Sequence, residues 1–319
     1  MAYSSENVRR VKELLARRRS QANDAAAQNR DHLHQISPEA VEIDQALGRT
    51  SMRLFAIACQ PNGEDKDKQL AALRAENLSL QEARAALLQH LGLPKNYTEP
   101  QYVCHLCGDT GYTEQGMCAC MKQALTYEGF RSSGIGYLIE SQSFDNFSLG
   151  YYQGEDQDKM RQNLAIAKNY AQTFTLASGN LLLMGNTGLG KTHISTSIAR
   201  LVIEKGYDVL YETAQNVIGA YEHDRFRSQR GDEPSSTKYE TCELLIIDDL
   251  GTEFQTSFTT GCLYTLLSAR LGHGRPTIIN TNLTAQDLRS TYDDRITSRL
   301  LGHFRPLIFT GKDVRYQKL

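Results

Sequence analysis

The apolar positions of this chain follow two different periods, and the change between them divides it. From residue 1 to about 93 they recur at helical spacing and nowhere alternate in the manner of a strand. Ser5–Ile36 is polar and opens on a basic run, Arg9, Arg10, Lys12, Arg17, Arg18 and Arg19. Ser37-Pro38-Glu39 is a helix start with proline at the first helical position, and the helix it opens carries Val41, Ile43, Leu47, Leu54, Phe55 and Ile57. Pro61-Asn62-Gly63 breaks it. A third segment, Lys66–Leu91, has leucines at 70, 73, 80, 87, 88 and 91. Its heptad stretch is too short for a sustained coiled coil and predicts packing inside its own domain. From about Asp156 the pattern becomes short apolar runs separated by helical stretches. The runs are Leu181–Met184, Val209–Tyr211, Leu244–Ile247, Thr277–Asn280 and Leu307–Phe309, with helices such as His193–Lys205 and Thr260–Leu271 between them. Such alternation predicts an α/β domain with a parallel sheet. Residues 131–152, rich in Ser, Gly and aromatics, read as a linker.

Composition narrows the class. A chain of 319 residues suits about two domains. With 40% hydrophobic and 23% charged residues it reads as an ordinary soluble protein. Its longest aliphatic runs are too short for a membrane helix, and its start has no apolar stretch after the basic residues. The expectation is a cytoplasmic protein with no membrane partner. A net charge of −2 leaves nucleic-acid contact to local patches. Four of the seven cysteines crowd into residues 104–120. Cys104-x₂-Cys107 and Cys118-x-Cys120 sit on glycine-rich turns, a spacing that suits a structural Zn²⁺ site better than a disulfide framework. His105 reads as solvent-exposed, with a replacement ligand as the alternative. Cys59, Cys242 and Cys262 read as packed.

Gly185-Asn186-Thr187-Gly188-Leu189-Gly190-Lys191-Thr192 matches G-x-x-x-x-G-K-[ST], entered by an apolar run and left by a helical stretch. Backbone N–H groups in such a loop cradle a polyphosphate, the lysine reaches the β- and γ-phosphates, and the threonine hydroxyl binds Mg²⁺. Leu244–Ile247 ends in Asp248 and Asp249 at the sheet edge where ligands bind in open α/β folds. Asp248 is expected in the Mg²⁺ shell. Asp249 is expected to activate the attacking water, with Glu253 as the alternative base. Asn282 ends another strand and is placed to orient that water. Arg295 and Arg299, four apart, share a helix face, which suits either a solvated basic surface or an arginine that reaches a neighbouring subunit's phosphates. Arg225, Phe226, Arg227 and Arg230 combine charge with an aromatic face, as single-stranded nucleic acid requires.

Taken together, YVCHLCGDTGY with CAC, SFDNFSLGYY, NLLLMGNTGLGKTHIS, LLIIDDLGTE, TIINTNLT, DDRITSRLLGHF and FTGKDVR resemble the DnaC/DnaI group of bacterial helicase loaders, in its longer form. The resemblance implies an AAA+ P-loop ATPase core at residues 153–319. Ahead of it come a helical N-terminal domain at 1–95 that grips the hexameric replicative helicase, a zinc-binding module at 96–130 and the linker at 131–152. It implies ATP-dependent loading of that helicase onto single-stranded DNA, with ATP, Mg²⁺ and Zn²⁺ as cofactors and self-assembly into a ring or spiral. It makes Asn282 a sensor 1 residue, Arg299 (or Arg295) an arginine finger and Arg315 a sensor 2 position. It adds Thr256 and Phe258 to the DNA-contacting set. Only eight residues follow Gly311, which agrees with a core lacking a helical lid. The competing reading is a transposition helper of the IstB type acting with a transposase. A small-molecule P-loop kinase is disfavoured by Asn282 and the Arg295/Arg299 helix.

Overall fold

A computed structural model gives the structure of the protein and describes residues 3–58, 64–139, 141–227 and 234–317. Cys59, the Pro61-Asn62-Gly63 break and Arg230 lie outside the described residues. By backbone contacts the chain forms two compact units, residues 1–11 with 121–319, and residues 12–120.

The larger unit is built on a parallel five-stranded sheet. In chain order its helices and strands after α4 (Ala119–Ser132) and α5 (Gly136–Ile139) are α6 (Gly154–Thr173), β3 (Asn180–Met184), α7 (Lys191–Glu204), β4 (Val209–Thr213), α8 (Ala214–Arg227), α9 (Thr237–Thr241), β5 (Leu244–Leu250), α10 (Ser257–Gly272), β6 (Thr277–Thr281), α11 (Ala285–Thr291), α12 (Asp294–His303) and β7 (Phe304–Ile308). The strand order is β4-β5-β6-β3-β7, and every pairing is parallel. Because side chains alternate along a strand, the sheet has two apolar faces. Leu181, Leu183, Leu244, Ile246 and Ile278 turn to α6 and α7, meeting Met160, Leu164, Ile194, Ile198 and Val202. Leu182, Met184, Leu245, Ile247 and Ile279 turn the other way, to Leu263, Leu266 and Leu267 of α10 and Ile296 and Leu300 of α12. The core is thus a parallel α/β sheet covered by helices on both faces.

Two differences from the sequence expectations have physical causes. The last strand starts at Phe304 and runs through Pro306, where Leu307–Phe309 was expected. It lies at the sheet edge, so the N–H that proline lacks is not needed for a ladder bond. Residues 131–152 do not stand apart as a connector: Ile135, Phe144 and Tyr152 are buried in the α6/α7 core. Within this stretch Ser133 O accepts from Tyr211 N at 2.8 Å, giving the outer edge of β4 a backbone partner.

The smaller unit holds most of α1 (Ser5–Ile36), then α2 (Pro38–Ala58), α3 (Glu64–His90) and a two-stranded hairpin, β1 (Tyr112–Thr113) with β2 (Gly116–Met117). The Ser37 hydroxyl accepts from Ala40 N, as the helix start predicts. Helix α3 packs on α2, and the centre is small: Leu33, Ala40 and Leu88, surrounded by Leu87, Leu91, Leu93 and Tyr97. Asp44 ties the three helices together, accepting from Arg84 Nε at 2.6 Å and lying 2.8 Å from His34 Nε2. Among the described residues no helix is long and apolar enough to cross a membrane.

Candidate functional site: a nucleotide cavity and a cysteine cluster

The glycine-rich loop leaves β3 and ends at the start of α7. Gly190, the residue before that helix, has φ +83°, and a Cβ there would stand 2.9 Å from the Phe147 ring. Glycine is therefore required by both conformation and space. Lys191 folds back over the loop. Its Nζ donates to Gly185 O at 2.6 Å, Asn186 O at 2.8 Å and Asn282 Oδ1 at 2.8 Å. Burial pushes its pKa down, against the pull of Asp248 and Asp249. A cavity of about 410 Å³ opens here, lined among others by Thr187, Gly188, Leu189, Gly190, Lys191, Thr192, Asp249, Asn282 and Arg315. The P-loop, the second acidic motif, the sensor-position Asn282 and Arg315 thus meet at one place, at the C-terminal edge of the sheet.

The two aspartates at the end of β5 are sorted by a backbone irregularity. The β5–β6 register steps from Ile247↔Ile279 to Leu250↔Thr281, one extra residue on β5, and Asp249 takes φ +53°. Such a bulge re-aims a side chain, and here Asp249 faces the cavity while Asp248 stays beneath it. Burial and the charge of Asp248 push the Asp249 carboxyl above the usual range, with Lys191 and Arg315 opposing. Asp248 is buried at 7% exposure. Its Oδ2 accepts from Thr192 Oγ1 at 3.1 Å and Tyr211 OH at 2.5 Å. Its Oδ1 accepts from Asn280 Nδ2 at 2.9 Å and Asp249 N at 3.0 Å. A carboxylate held beside a threonine oxygen, next to a phosphate loop, fits Mg²⁺. Glu253 does not line the cavity. It is buried, accepting from the Tyr292 hydroxyl, from Gly251 N at 2.8 Å and from Gln255 Nε2 at 3.0 Å.

Arg315 pairs with Asp313 at 3.1 Å. The Asp313 carboxylate packs where a Cβ on Gly188 would be, and Val314 N donates to Gly188 O at 3.0 Å, so the end of the chain folds against the phosphate loop. Arg299 does not line the cavity. Its guanidinium stacks 4.2 Å over Tyr264 and donates to the Tyr264 hydroxyl and to Arg295 O. Arg295 is exposed.

The opposite wall was not expected. Gln142, Asn146, Phe147, Ser148, Tyr151, Tyr152 and His193 line it. Phe147 stacks on Tyr152 at 6.1 Å and meets His193 edge-on at 5.2 Å. His193 Nε2 lies 2.8 Å from Ser143 O, and Tyr152 OH donates to Leu189 O. An aromatic, hydrogen-bonded wall facing a phosphate loop suits a purine base. The signal was in SFDNFSLGYY: four aromatics in ten residues are more than a linker needs.

Of the residues singled out for DNA, Arg225 on α8 stands 5.4 Å from the Phe258 ring on α10, so two separately chosen segments meet. Phe226 and Arg227 close α8, and their side chains lie outside the described residues. Thr256 is the N-cap of α10, its hydroxyl accepting from Thr259 N, which accounts for it structurally. Phe254 beside it is 84% exposed and had not been singled out.

In the smaller unit the sulfurs of Cys104, Cys107, Cys118 and Cys120 lie within 4.8 Å of one another. The pairs Cys104–Cys118 and Cys107–Cys120 are 3.8 and 3.4 Å apart. A tetrahedral zinc with Zn–S of about 2.3 Å needs sulfurs roughly 3.8 Å apart, so the set fits. Asp109, itself buried, accepts from Val103 N and Cys104 N at 2.9 Å and fixes the first turn. The Cys107 thiol is held down to about 7: burial raises it, and the Gly111 N–H and the neighbouring thiols more than offset that. His105 is exposed and outside the cluster.

Comparison with known proteins agrees with this architecture. Residues 135–316 match the family described as "IstB-like ATP binding protein". The chain is 26% identical over 188 residues to the replicative helicase loader DnaC of Escherichia coli K12, covering 58% of this chain and 74% of DnaC. It is 32% identical over 120 residues to the chromosomal replication initiator DnaA of Wolinella succinogenes, covering 35% of this chain and 24% of DnaA. A crystal structure of the DnaC helicase loader aligns with a TM-score of 0.47 at 18% identity, covering 54% of this chain and 99% of that one. The family match begins at Ile135, ahead of the aromatic wall, and runs past Arg315, so it takes in the residues that line the nucleotide cavity: the chain belongs to the family of IstB-like ATP-binding proteins.

Proposed function

We propose that this protein is an ATP-dependent loader that places a hexameric replicative helicase on single-stranded DNA at the initiation of replication. The observation that carries this reading is the match to DnaC, which spans 74% of that loader. Within it, Lys191 and the loop N–H groups hold the phosphates, Thr192 and Asp248 the Mg²⁺, and Phe147 and Tyr152 the base. Asp249 serves as base for hydrolysis, with Asn282 orienting the water and Arg315 reaching the phosphates from the chain end. The helical residues 1–95 take the helicase, Cys104, Cys107, Cys118 and Cys120 hold one structural Zn²⁺, and residues 153–319 form the ATPase domain. Arg225, Phe226, Arg227, Thr256 and Phe258 face DNA.

Arg299 acts in trans in this reading. It sits outside its own cavity on α12, so it serves ATP bound by a neighbour in a ring or spiral. Mixing tests this. Arg299→Ala and Lys191→Ala chains are each nearly inactive alone, and together they regain ATPase activity at interfaces pairing an intact Lys191 with an intact Arg299. Co-assembly without recovery would refute the trans role. The family matched is that of IstB-like ATP-binding proteins, which supports a second reading as a helper of the IstB type acting with a transposase. The decisive experiment is retention of the full-length chain by the replicative helicase of the same cell, followed by ATP-dependent transfer of that helicase to single-stranded DNA. No retention, with capture by a transposase instead, selects the second reading.

A further inference from the structure

Beneath the cavity lies a buried polar cluster that the sequence did not suggest. Tyr211 on β4, Ser195 on α7 and Asn280 on β6 are 7%, 0% and 0% exposed; Tyr211 and Asn280 bond to Asp248, and Ser195 bonds to both of them. Tyr211 OH donates to Asp248 Oδ2 and lies 3.4 Å from Ser195 Oγ. Asn280 Nδ2 donates both to Asp248 Oδ1 and to Ser195 Oγ, the latter at 2.8 Å. Polar side chains in the centre of a parallel sheet are costly unless their bonds serve each other. Here they serve one carboxylate. A carboxylate offers about four lone-pair positions, and the Asp248 oxygens receive four donors: Thr192, Tyr211, Asn280 and the Asp249 N–H.

We infer that Tyr211 and Asn280 are positioning residues for the metal ion of the nucleotide complex. They hold Asp248 in one orientation, so that its carboxylate orders the Thr192 hydroxyl. With its O–H donated to Asp248, the Thr192 oxygen would keep its lone pairs free for the cation. This rests on the ATP·Mg²⁺ reading of the same cavity.

The test measures metal dependence of binding and needs no turnover. A fluorescent ATP analogue is titrated in EDTA and across a Mg²⁺ series, with Mn²⁺ binding to the nucleotide complex followed by electron paramagnetic resonance. Tyr211→Phe is expected to keep its EDTA affinity while its half-saturating Mg²⁺ and Mn²⁺ concentrations rise about tenfold or more, the usual penalty for losing a partner of a metal ligand. Asn280→Ala, which frees the other oxygen, gives the same signature and stands in if Tyr211→Phe folds poorly. Tyr170→Phe, which removes a tyrosine hydroxyl bonded to Gly179 O away from the site, leaves the metal dependence unchanged. The inference is overturned if both site variants keep the parental metal dependence, or if they lose EDTA affinity as much as Mg²⁺ affinity. If the parental chain gains no affinity from Mg²⁺ or binds no nucleotide, the ATP reading itself fails.

Discussion

The two units reach order by different means. In residues 121–319 a sheet with two apolar faces fixes the backbone, and the chemistry is carried by its edge: the P-loop after β3, the bulge in β5 and Asn282 after β6. In residues 12–120 three helices share a small centre around Leu33, Ala40 and Leu88, and the cysteine turns have for regular structure a hairpin of two two-residue strands and the start of α4, which holds Cys120. The first is rigid because so much apolar surface is buried. The second depends on point attachments, four thiols and the Asp44 ion pairs. A small core leaves little margin, and ligands supply it.

The sharpest way to break this contrast is to remove the metal ligand set. Cys107→Ser, or chelation, should abolish the ordered fold of residues 96–120, since structural zinc contributes on the order of 10–16 kcal/mol in small metal-dependent domains. Amide exchange should show protection lost there and kept in residues 121–319, with ATP binding intact. Fresh, reduced protein should carry one zinc per chain. Absence of zinc, or loss of protection in both units together, would contradict the division.

Asp249→Asn should keep ATP affinity and slow hydrolysis by roughly 10²–10⁴. The raised Asp249 carboxyl gives the kcat profile an acid limb above the ordinary aspartate value of about 3.9. Activity is present above that limb and lost as pH falls through it. Glu253→Gln should instead lower the melting temperature, because it loosens Tyr292 and the Gly251 turn. Hydrolysis lost at unchanged stability in that variant would make Glu253 the base.

A smaller effect is expected from Lys191→Ala, which removes charge-assisted bonds to the phosphates. Those bonds are worth about 1.5–3 kcal/mol, so calorimetry should show affinity weakened by roughly 10–100-fold. The unit's fold should be unaffected, because the sheet does not need this side chain.

The smallest effect probes the other unit. Asp44→Asn removes the anion between His34 and Arg84 and should cost about 1–2 kcal/mol, read from denaturant unfolding of the helical region. Asp44 is itself lowered, with burial opposed by Arg84 and His34. Its stabilisation is therefore complete above the unfolded value of about 3.9 and disappears as pH falls through the lowered folded value. The difference between parent and variant should shrink over that range. A constant difference would mean the side chain matters for packing alone.

Much of this was legible because it is local. A proline at the first helical position fixes a helix start whatever lies around it. G-x-x-x-x-G-K-T is a backbone conformation written in residues, and Cys-x₂-Cys brings two sulfurs together by chain geometry alone. Phe55, by contrast, was read as part of an apolar helix face and is 75% exposed. Periodicity names a stripe without naming what covers it.

What the sequence by itself determined was the order of elements, the phosphate loop, the acidic strand end and the four-cysteine set. Each depends on neighbours a few residues away. Only the tertiary structure decided which aspartate faces the cavity, because that turns on one extra residue of β5 measured against β6. Only it placed residues 142–152, expected in a linker, along a wall of the cavity, and joined Tyr211, Ser195 and Asn280 around Asp248. Those residues come from separate strands and a helix, and nothing short of the closed sheet sets the distances between them.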